Sequence, residues 1–400
     1  MSAVRSTAAL DIARGRSSAL IGACVAGSLV AGWAAAAWSL WYQTADFFCL
    51  WMGGRFVLTG RDPYDQAQWQ AATGGLYPDP RGVQLPASCP VDFAYPYWTA
   101  IALAPFGALP IELASTIWMA LSIGASVGAV ALAWRLANGG DGGRTLFFAI
   151  VLSSQAFWTL LASGQFTGVM LGIITVIAWA LARDRARAGG FAVAALLLKP
   201  QLGTFVIPAV VIDAFVRGRG RVLAIAGLVL AIALIASVAV SGGVALQWPG
   251  PTTASRLAQV GIRSSAWGLA AEIFGDPFFG AAIIALLILA VARISGARLL
   301  APATLVAMSV PLSLLATPYV SVYDFLVLTL PWAFVAAIAS RVDARERVAL
   351  LLALVASASL LPWILFAIWQ TGGSMTWSAL VPIASALLLA WSLRLDPRRA

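Results

Sequence analysis

The stretch VLAIAGLVLAIALIASVAVS at residues 222–241 decides the fold class, because it holds 20 consecutive residues without a charge. A helix of about 20 apolar residues crosses a hydrocarbon core of ~30 Å. Similar runs recur along the whole chain, at 17–41, 111–135, 145–162, 165–182, 189–198, 201–216, 222–241, 277–294, 298–316, 322–340, 347–369 and 375–393. They predict an all-α, polytopic transmembrane bundle of about 12 passes, a single integral membrane domain over residues 1–400.

Composition excludes a soluble domain of ordinary size. Hydrophobic residues make up 61% of the chain and charged residues only 10%, against about 25% charged residues in soluble domains. The net charge of +9 is almost entirely arginine in segments that flank the apolar runs, so it indicates membrane topology rather than nucleic-acid binding. The chain has no histidine, and the cysteines lack zinc-like spacing. We therefore expect no cofactor and no metal site.

Arginine placement decides how two short apolar runs are interpreted. Runs 189–198 and 201–216 are either two short passes or one longer pass. Two passes leave 19 arginines in cytoplasmic segments and 5 outside, whereas one pass leaves 10 inside and 14 outside. The positive-inside rule favours two passes, with both termini cytoplasmic and large outer loops at 42–97 and 242–276. A helix over 189–198 spans only ~15 Å, so the hairpin tip at Lys199 is predicted inside the membrane.

Lys199 is the only lysine of the chain. A charge at that depth is expensive unless it is paired or hydrated. Two interpretations stay open: a lysine paired with an acid for packing, or a cation that awaits an anionic substrate. For the second we expect a lining of Gln165, Gln201 and an aromatic side chain such as Tyr95 or Tyr319.

Asp46 follows the first apolar run directly, among aromatic residues. The apolar spacing over 47–58 predicts an interfacial helix within the first outer loop, closed by a turn. A carboxylate at such a boundary is partly desolvated, which raises its basicity. Most acids of the outer side are explained as ordinary solvated loop charges. Asp324 lies near the start of a later pass, so that explanation fits it less well and a functional role is considered. Cys49 and Cys89 share the outer loop and are a disulfide candidate.

Several of these stretches resemble motifs of the family 87 glycosyltransferases, which are polytopic GT-C enzymes. The first-loop signature is matched by Asp46-Phe47-Phe48, Gly53-Gly54-Arg55-Phe56 and Gly60-Arg61-Asp62-Pro63-Tyr64. Later motifs are matched by Phe93-Ala94-Tyr95-Pro96 with Pro105, Ser163-Gly164-Gln165, Leu198-Lys199-Pro200-Gln201, and Thr317-Pro318-Tyr319 with Asp324. The resemblance covers roughly residues 40–330. The family often has histidine near the last of these junctions, and this chain has none.

The resemblance implies a GT-C-like fold and a hexosyltransferase that moves a sugar such as mannose from a polyprenyl-phosphate donor. It implies an active site on the outer face of the inner membrane and a lipid- or glycan-type acceptor. It assigns Asp46 as the catalytic base. A base and a cation for the leaving phosphate are what such a transfer needs, so Lys199 is predicted to bind the donor phosphate. Substrate-binding candidates are Gln165, Gln201, Tyr95, Arg55, Tyr319 and Asp324.

Two other functional classes compete with this hypothesis. A transporter or flippase of lipid-linked sugars would show internal repeats and intramembrane charges in both halves, and only one broken hairpin is found. A non-enzymatic scaffold would leave Lys199 without an explanation. One base without a second nucleophilic carboxylate favours single displacement with inversion.

Overall fold

The computed structural model describes residues 46–73, 93–248, 264–296 and 300–399. Within these ranges the chain is helical and has no strand. The α-helices are α1 (Asp46–Leu58), α2 (Gln66–Thr73), α3 (Tyr97–Gly107), α4 (Ile111–Leu136), α5 (Asp141–Leu152), α6 (Gln155–Ser163), α7 (Thr167–Ala182), α8 (Ala186–Leu196), α9 (Val206–Val216), α10 (Gly220–Ser241), α11 (Ala266–Phe274), α12 (Phe279–Ser295), α13 (Pro302–Ala316), α14 (Thr329–Ala339), α15 (Ala344–Val355), α16 (Leu361–Gln370) and α17 (Leu380–Leu395).

Five helical segments of the described chain are long and apolar enough to cross a membrane. They are Ile111–Leu136, Gly220–Ser241, Val322–Ala339, Ala344–Gln370 and Met375–Leu395, and two bent helix pairs raise the number to seven. The helical membrane class is therefore confirmed. The number of about 12 passes and the likeness to the GT-C fold stay predictions, and the first predicted pass, 17–41, lies outside the described residues.

The apolar run 145–162 differs from the continuous pass that its composition predicts. It forms α5 and α6, whose axes differ by 49°. The break falls at two serines, and the Ser154 hydroxyl accepts a hydrogen bond from the Phe157 N–H at 3.3 Å. This N-cap begins a new helix, and the apolar composition of the run does not by itself predict a helix boundary there.

The break predicted at Lys199 is present between α8 and α9. Each of these helices has 11 residues, which corresponds to ~16 Å, about half the hydrocarbon core. Carbonyl groups freed by the break are satisfied from α3. The Thr99 hydroxyl donates to the Leu198 carbonyl at 3.0 Å, and the Trp98 indole donates to the Leu197 carbonyl at 3.0 Å. Protein groups thus stabilise an interruption that lipid would not tolerate.

Helix α1 (Asp46–Leu58) includes the stretch 47–58 for which a helix was predicted, and protein encloses much of it. Eight of its 13 residues are buried, and they are not confined to one helical face. The cause is a close approach of α3. A Cβ built on Gly54 would lie 2.4 Å from the Leu103 carbonyl oxygen, and one built on Gly107 would lie 2.3 Å from the Arg55 backbone nitrogen. Two glycines therefore let these helices meet backbone to backbone.

Replacing Gly107 by alanine is expected to destabilise the protein, because the added methyl group overlaps the backbone of α1. Overpacking of this kind typically costs about 1–3 kcal/mol. The matched control is Gly128→Ala in α4, where a Cβ meets nothing within 4 Å and a helical alanine is favoured over glycine by roughly 0.5–1 kcal/mol. Thermal unfolding in detergent measures both variants. Equal melting temperatures for the two would contradict the close packing of α1 and α3.

The predicted outer loop 242–276 contains a helix that its composition did not indicate. Helix α11 begins after Ser265, whose hydroxyl accepts from the Gly268 N–H at 3.3 Å. The axis of α12 lies at 119° to that of α11. The described part of this loop is therefore a packed element rather than an extended connection.

Candidate active site

Lys199 is enclosed by protein, with 1% of its surface exposed. Its ammonium group forms an ion pair with Asp324 and donates to the Thr167 hydroxyl at 3.2 Å. Two rings flank the charge, with centroids 5.4 Å away for Phe166 and 4.9 Å away for Tyr323. The cation is therefore held by one carboxylate, one hydroxyl and two aromatic faces, which together offset its loss of hydration.

Asp324 is held by groups from three parts of the chain. Its Oδ1 accepts from Lys199 and, at 2.8 Å, from the Thr167 hydroxyl. Its Oδ2 accepts from the Ser321 N–H at 3.3 Å, in the turn that opens the 3-10 helix Val322–Leu328. Only 2% of its surface is exposed. The carboxylate is thus satisfied on both oxygens and fixed relative to the start of a membrane helix.

Asp46 is the first residue of α1, and its carboxylate is tied to the turn between α6 and α7. The Gln165 amide donates to Oδ2 at 2.8 Å, and the Tyr323 hydroxyl also bonds to this carboxylate. Burial raises the pKa of Asp46 above its usual range, while these two hydrogen bonds, and more weakly the charge of Lys199, act to lower it. A carboxylate made more basic by burial suits proton abstraction.

The position of Gln165 follows from the glycine that precedes it. Gly164 ends α6 with φ of 64°, and its carbonyl accepts from the Trp118 indole at 2.7 Å. A Cβ at this position would lie 2.6 Å from the Cβ of Phe47. Both the left-handed backbone and the missing side chain are therefore needed for the turn to contact the start of α1.

Tyr95 fixes Gln165 from the other side. Its hydroxyl donates to Gln165 Oε1 at 3.3 Å, which leaves the amide nitrogen directed at Asp46. The ring packs edge-on against Phe166 with centroids 5.2 Å apart, and the Tyr64 hydroxyl donates to the Tyr95 carbonyl at 2.8 Å. Burial raises the pKa of Tyr95 well above its ordinary value, so the hydroxyl keeps its proton and remains a donor.

The structure brings together Asp46, Lys199, Gln165, Tyr95 and Asp324, which come from five separate parts of the chain. Tyr319 is near enough to act electrostatically on Tyr95. Gln201 offers its backbone carbonyl to the Thr317 hydroxyl at 2.7 Å.

Arg55 is not part of this group. Its side chain is exposed and stacks over Trp51 at 5.3 Å, and it lies nine positions after Asp46 in α1, or ~13 Å along the axis. The start of α1 therefore faces the site, and the part that carries Arg55 does not.

The contacts of Lys199 come from residues that were not in its expected lining, and that lining of Gln165, Gln201 and Tyr95 or Tyr319 stays a prediction. The aromatic neighbours of Lys199 are Phe166 and Tyr323, and its hydrogen-bond partners are Asp324 and Thr167. Thr167 was missed because a threonine at the start of an apolar run has no signal of its own. Thr167 lies two residues after Gln165. The Gln165 side chain bonds to Asp46, and the Thr167 side chain bonds to Lys199.

Cys49, in α1, is disulfide-bonded, and its partner lies outside the described residues, as does Cys89. The pairing of Cys49 with Cys89 stays a prediction. Among the described residues, no group of three or more potential ligands could hold a metal ion.

The fold and site together define a class: a helical membrane protein in which an aspartate and a buried lysine lie in two adjoining hydrogen-bonded groups. The family model described as glycosyltransferase family 87 matches residues 93–318. This match covers more than half of the chain, and the protein belongs to glycosyltransferase family 87. Lys199, Gln165 and Tyr95 lie within the matched residues, whereas Asp46 and Asp324 lie outside them. Comparisons with curated proteins and with solved structures find no match.

Proposed function

We propose that this membrane glycosyltransferase moves a hexose, such as mannose, from a polyprenyl-phosphate donor to an acceptor hydroxyl. Family membership supports glycosyl transfer. The observation that carries the finer proposal is that the hydrogen-bonded groups around Asp46 and Lys199 adjoin, close enough for the lysine charge to act on the carboxylate. Gln165 bonds to the carboxylate, and Thr167, two residues further on, bonds to the ammonium. The short turn between α6 and α7 therefore contacts both the proposed base, Asp46, and the cation, Lys199.

The proposed reaction is a single displacement. Asp46 takes the proton of the acceptor hydroxyl as its oxygen bonds to the anomeric carbon. The bond from that carbon to the phosphate oxygen breaks, and its electron pair leaves with polyprenyl phosphate. Attack from the face opposite the leaving group inverts the anomeric configuration. The proton held by Asp46 then passes to water.

Lys199 has the donors to assist the leaving phosphate. A lysine ammonium has three N–H groups, and Asp324 and Thr167 accept two of these bonds. The third is assigned to a phosphate oxygen of the donor, where charge develops as the glycosidic bond breaks. Asp324 then acts as the group that positions Lys199, while Tyr319 and Gln201 are proposed to contact the substrates.

Gln165 is proposed to act on the base. Its amide donates to one carboxylate oxygen of Asp46 and is itself oriented by Tyr95. This arrangement restrains the rotation of the carboxylate, so that its basic lone pairs keep one direction relative to the acceptor. The arginine distribution supports an outward-facing site in the inner membrane, with both termini cytoplasmic.

The experiment that tests this function uses membranes that contain the protein. Radiolabelled polyprenyl-phosphate mannose and polyprenyl-phosphate glucose are supplied separately, and labelled product and released polyprenyl phosphate are counted. We expect label to move to a lipid- or glycan-type acceptor from one of these donors. Transfer from a nucleotide sugar alone, with none from either lipid donor, would contradict the proposal.

A further inference from the structure

We propose that a second cavity, separate from the candidate active site, binds one anionic phospholipid. The cavity lies between the end of α4, the start of α5, the end of α14 and the start of α15, and its volume is about 340 Å³. Pockets of roughly 300–1,000 Å³ are typical of small-molecule sites.

The cavity wall is mostly apolar. Phe147, Ile150, Leu351 and Leu354 line it, and Leu146 at its edge has 47% of its surface exposed. The apolar lining therefore continues from buried side chains to an exposed leucine. Such a wall is suited to an acyl chain rather than to a free polar solute.

Arg347 is the charged residue among the described residues that line the cavity. Its guanidinium donates to the Ala339 carbonyl at 3.2 Å through Nε and to the Val342 carbonyl at 3.3 Å through one Nη. These two hydrogen bonds fix the guanidinium group of Arg347 beside the end of α14. An arginine has five N–H donors, so others remain for a phosphate.

The floor of the cavity is bare backbone. Gly140 and Gly142 line it, and a Cβ built at either position meets nothing within 4 Å. The first turn of α5 begins here, and the amino end of the helix dipole adds positive potential. Arg341 follows α14 and donates to the Ala137 and Asn138 carbonyls at 2.5 and 2.9 Å. These bonds hold the turn between α4 and α5 beside the end of α14.

The occupant follows from this combination. An arginine at one end and an apolar wall beside it match a phosphate joined to an acyl chain. The neighbouring segments carry many of the arginines assigned to the cytoplasmic side, where anionic lipids attract basic groups. This assignment does not depend on the proposed transferase reaction.

Native mass spectrometry of the full chain in detergent tests the proposal, with dioleoyl phosphatidylglycerol and dioleoyl phosphatidylcholine as probes. We expect one phosphatidylglycerol to bind more tightly than phosphatidylcholine. Arg347→Gln should weaken phosphatidylglycerol about fivefold, the factor expected for one arginine near an anionic lipid. Arg347→Lys should keep most of the preference, because it keeps the charge.

Two further variants separate the cavity from the general surface. Gly142→Leu fills the open floor without removing Arg347, and it should also weaken phosphatidylglycerol. Arg345→Gln removes an exposed arginine that does not line the cavity, and binding should be unchanged. Equal loss with Arg345→Gln, equal binding of the two lipids, or displacement of the lipid by inorganic phosphate would each overturn the proposal.

Discussion

Asp46→Asn is expected to abolish sugar transfer while leaving donor binding intact. Asparagine has nearly the same shape as aspartate, and its carbonyl oxygen can still accept the hydrogen bond from Gln165, but it cannot take a proton. Loss of general-base catalysis typically lowers the rate 10²–10⁴-fold, roughly the effect expected here. Initial rates at saturating donor, together with donor binding to the purified variant, measure the two properties separately.

The matched control is Asp62→Asn, in the same first loop. Asp62 Oδ1 accepts the Tyr64 N–H at 2.7 Å, and asparagine preserves this bond. Burial raises the pKa of Asp62 as well. Asp62 is therefore an aspartate whose pKa is shifted in the same direction as that of Asp46. We expect near-normal transfer. A comparable loss in the two variants, or a rate above about a tenth of the original for Asp46→Asn, would exclude Asp46 as the base.

The pH profile gives a further readout of the same site. The hydrogen bond from Gln165 lowers the pKa of Asp46, so Gln165→Leu should raise that pKa further above its usual range. Because the base acts only when deprotonated, the acidic limb of the profile for kcat/KM should move to higher pH. Tyr95→Phe removes only the bond that orients the amide and should shift the limb less. A shift toward lower pH would contradict the proposed network.

The second large effect is expected at Lys199, where stability and donor use can be separated. Lys199→Met leaves Asp324 buried without its ion-pair partner, and breaking a buried pair from one side costs about 3–5 kcal/mol. Asp324→Asn alone leaves the lysine without its counter-ion. The double variant removes both charges and should recover most of the lost stability, which thermal unfolding in detergent measures.

The double variant also decides between the two interpretations of Lys199. If the pair serves packing alone, Lys199→Met with Asp324→Asn should recover both stability and transfer. If Lys199 binds the donor phosphate, stability returns but binding of polyprenyl-phosphate sugar stays weak. We expect the second result. Restored donor binding in the folded double variant would remove Lys199 from the mechanism.

The sequence by itself determined the helical membrane class and the break at Lys199, but not the break between α5 and α6 or the helix α11. Apolar runs and turn residues act over a few neighbouring positions, so their effects are readable without knowing what packs against them. The same local signals indicated Asp46 at the start of α1, and the motifs around Lys199 and Gln165 carried the resemblance to the family.

Only the tertiary structure decided which of these residues meet. Lys199 and Asp324 are 125 positions apart, and Gln165 and Asp46 are 119 apart. No helical period connects such positions, because their distance depends on how the helices pack rather than on spacing along the chain. Thr167 is part of the site for the same reason, because its partners Lys199 and Asp324 are distant in sequence. The enclosure of α1 likewise required Gly54 and Gly107 to face each other, which is a property of two helices together and of neither sequence alone.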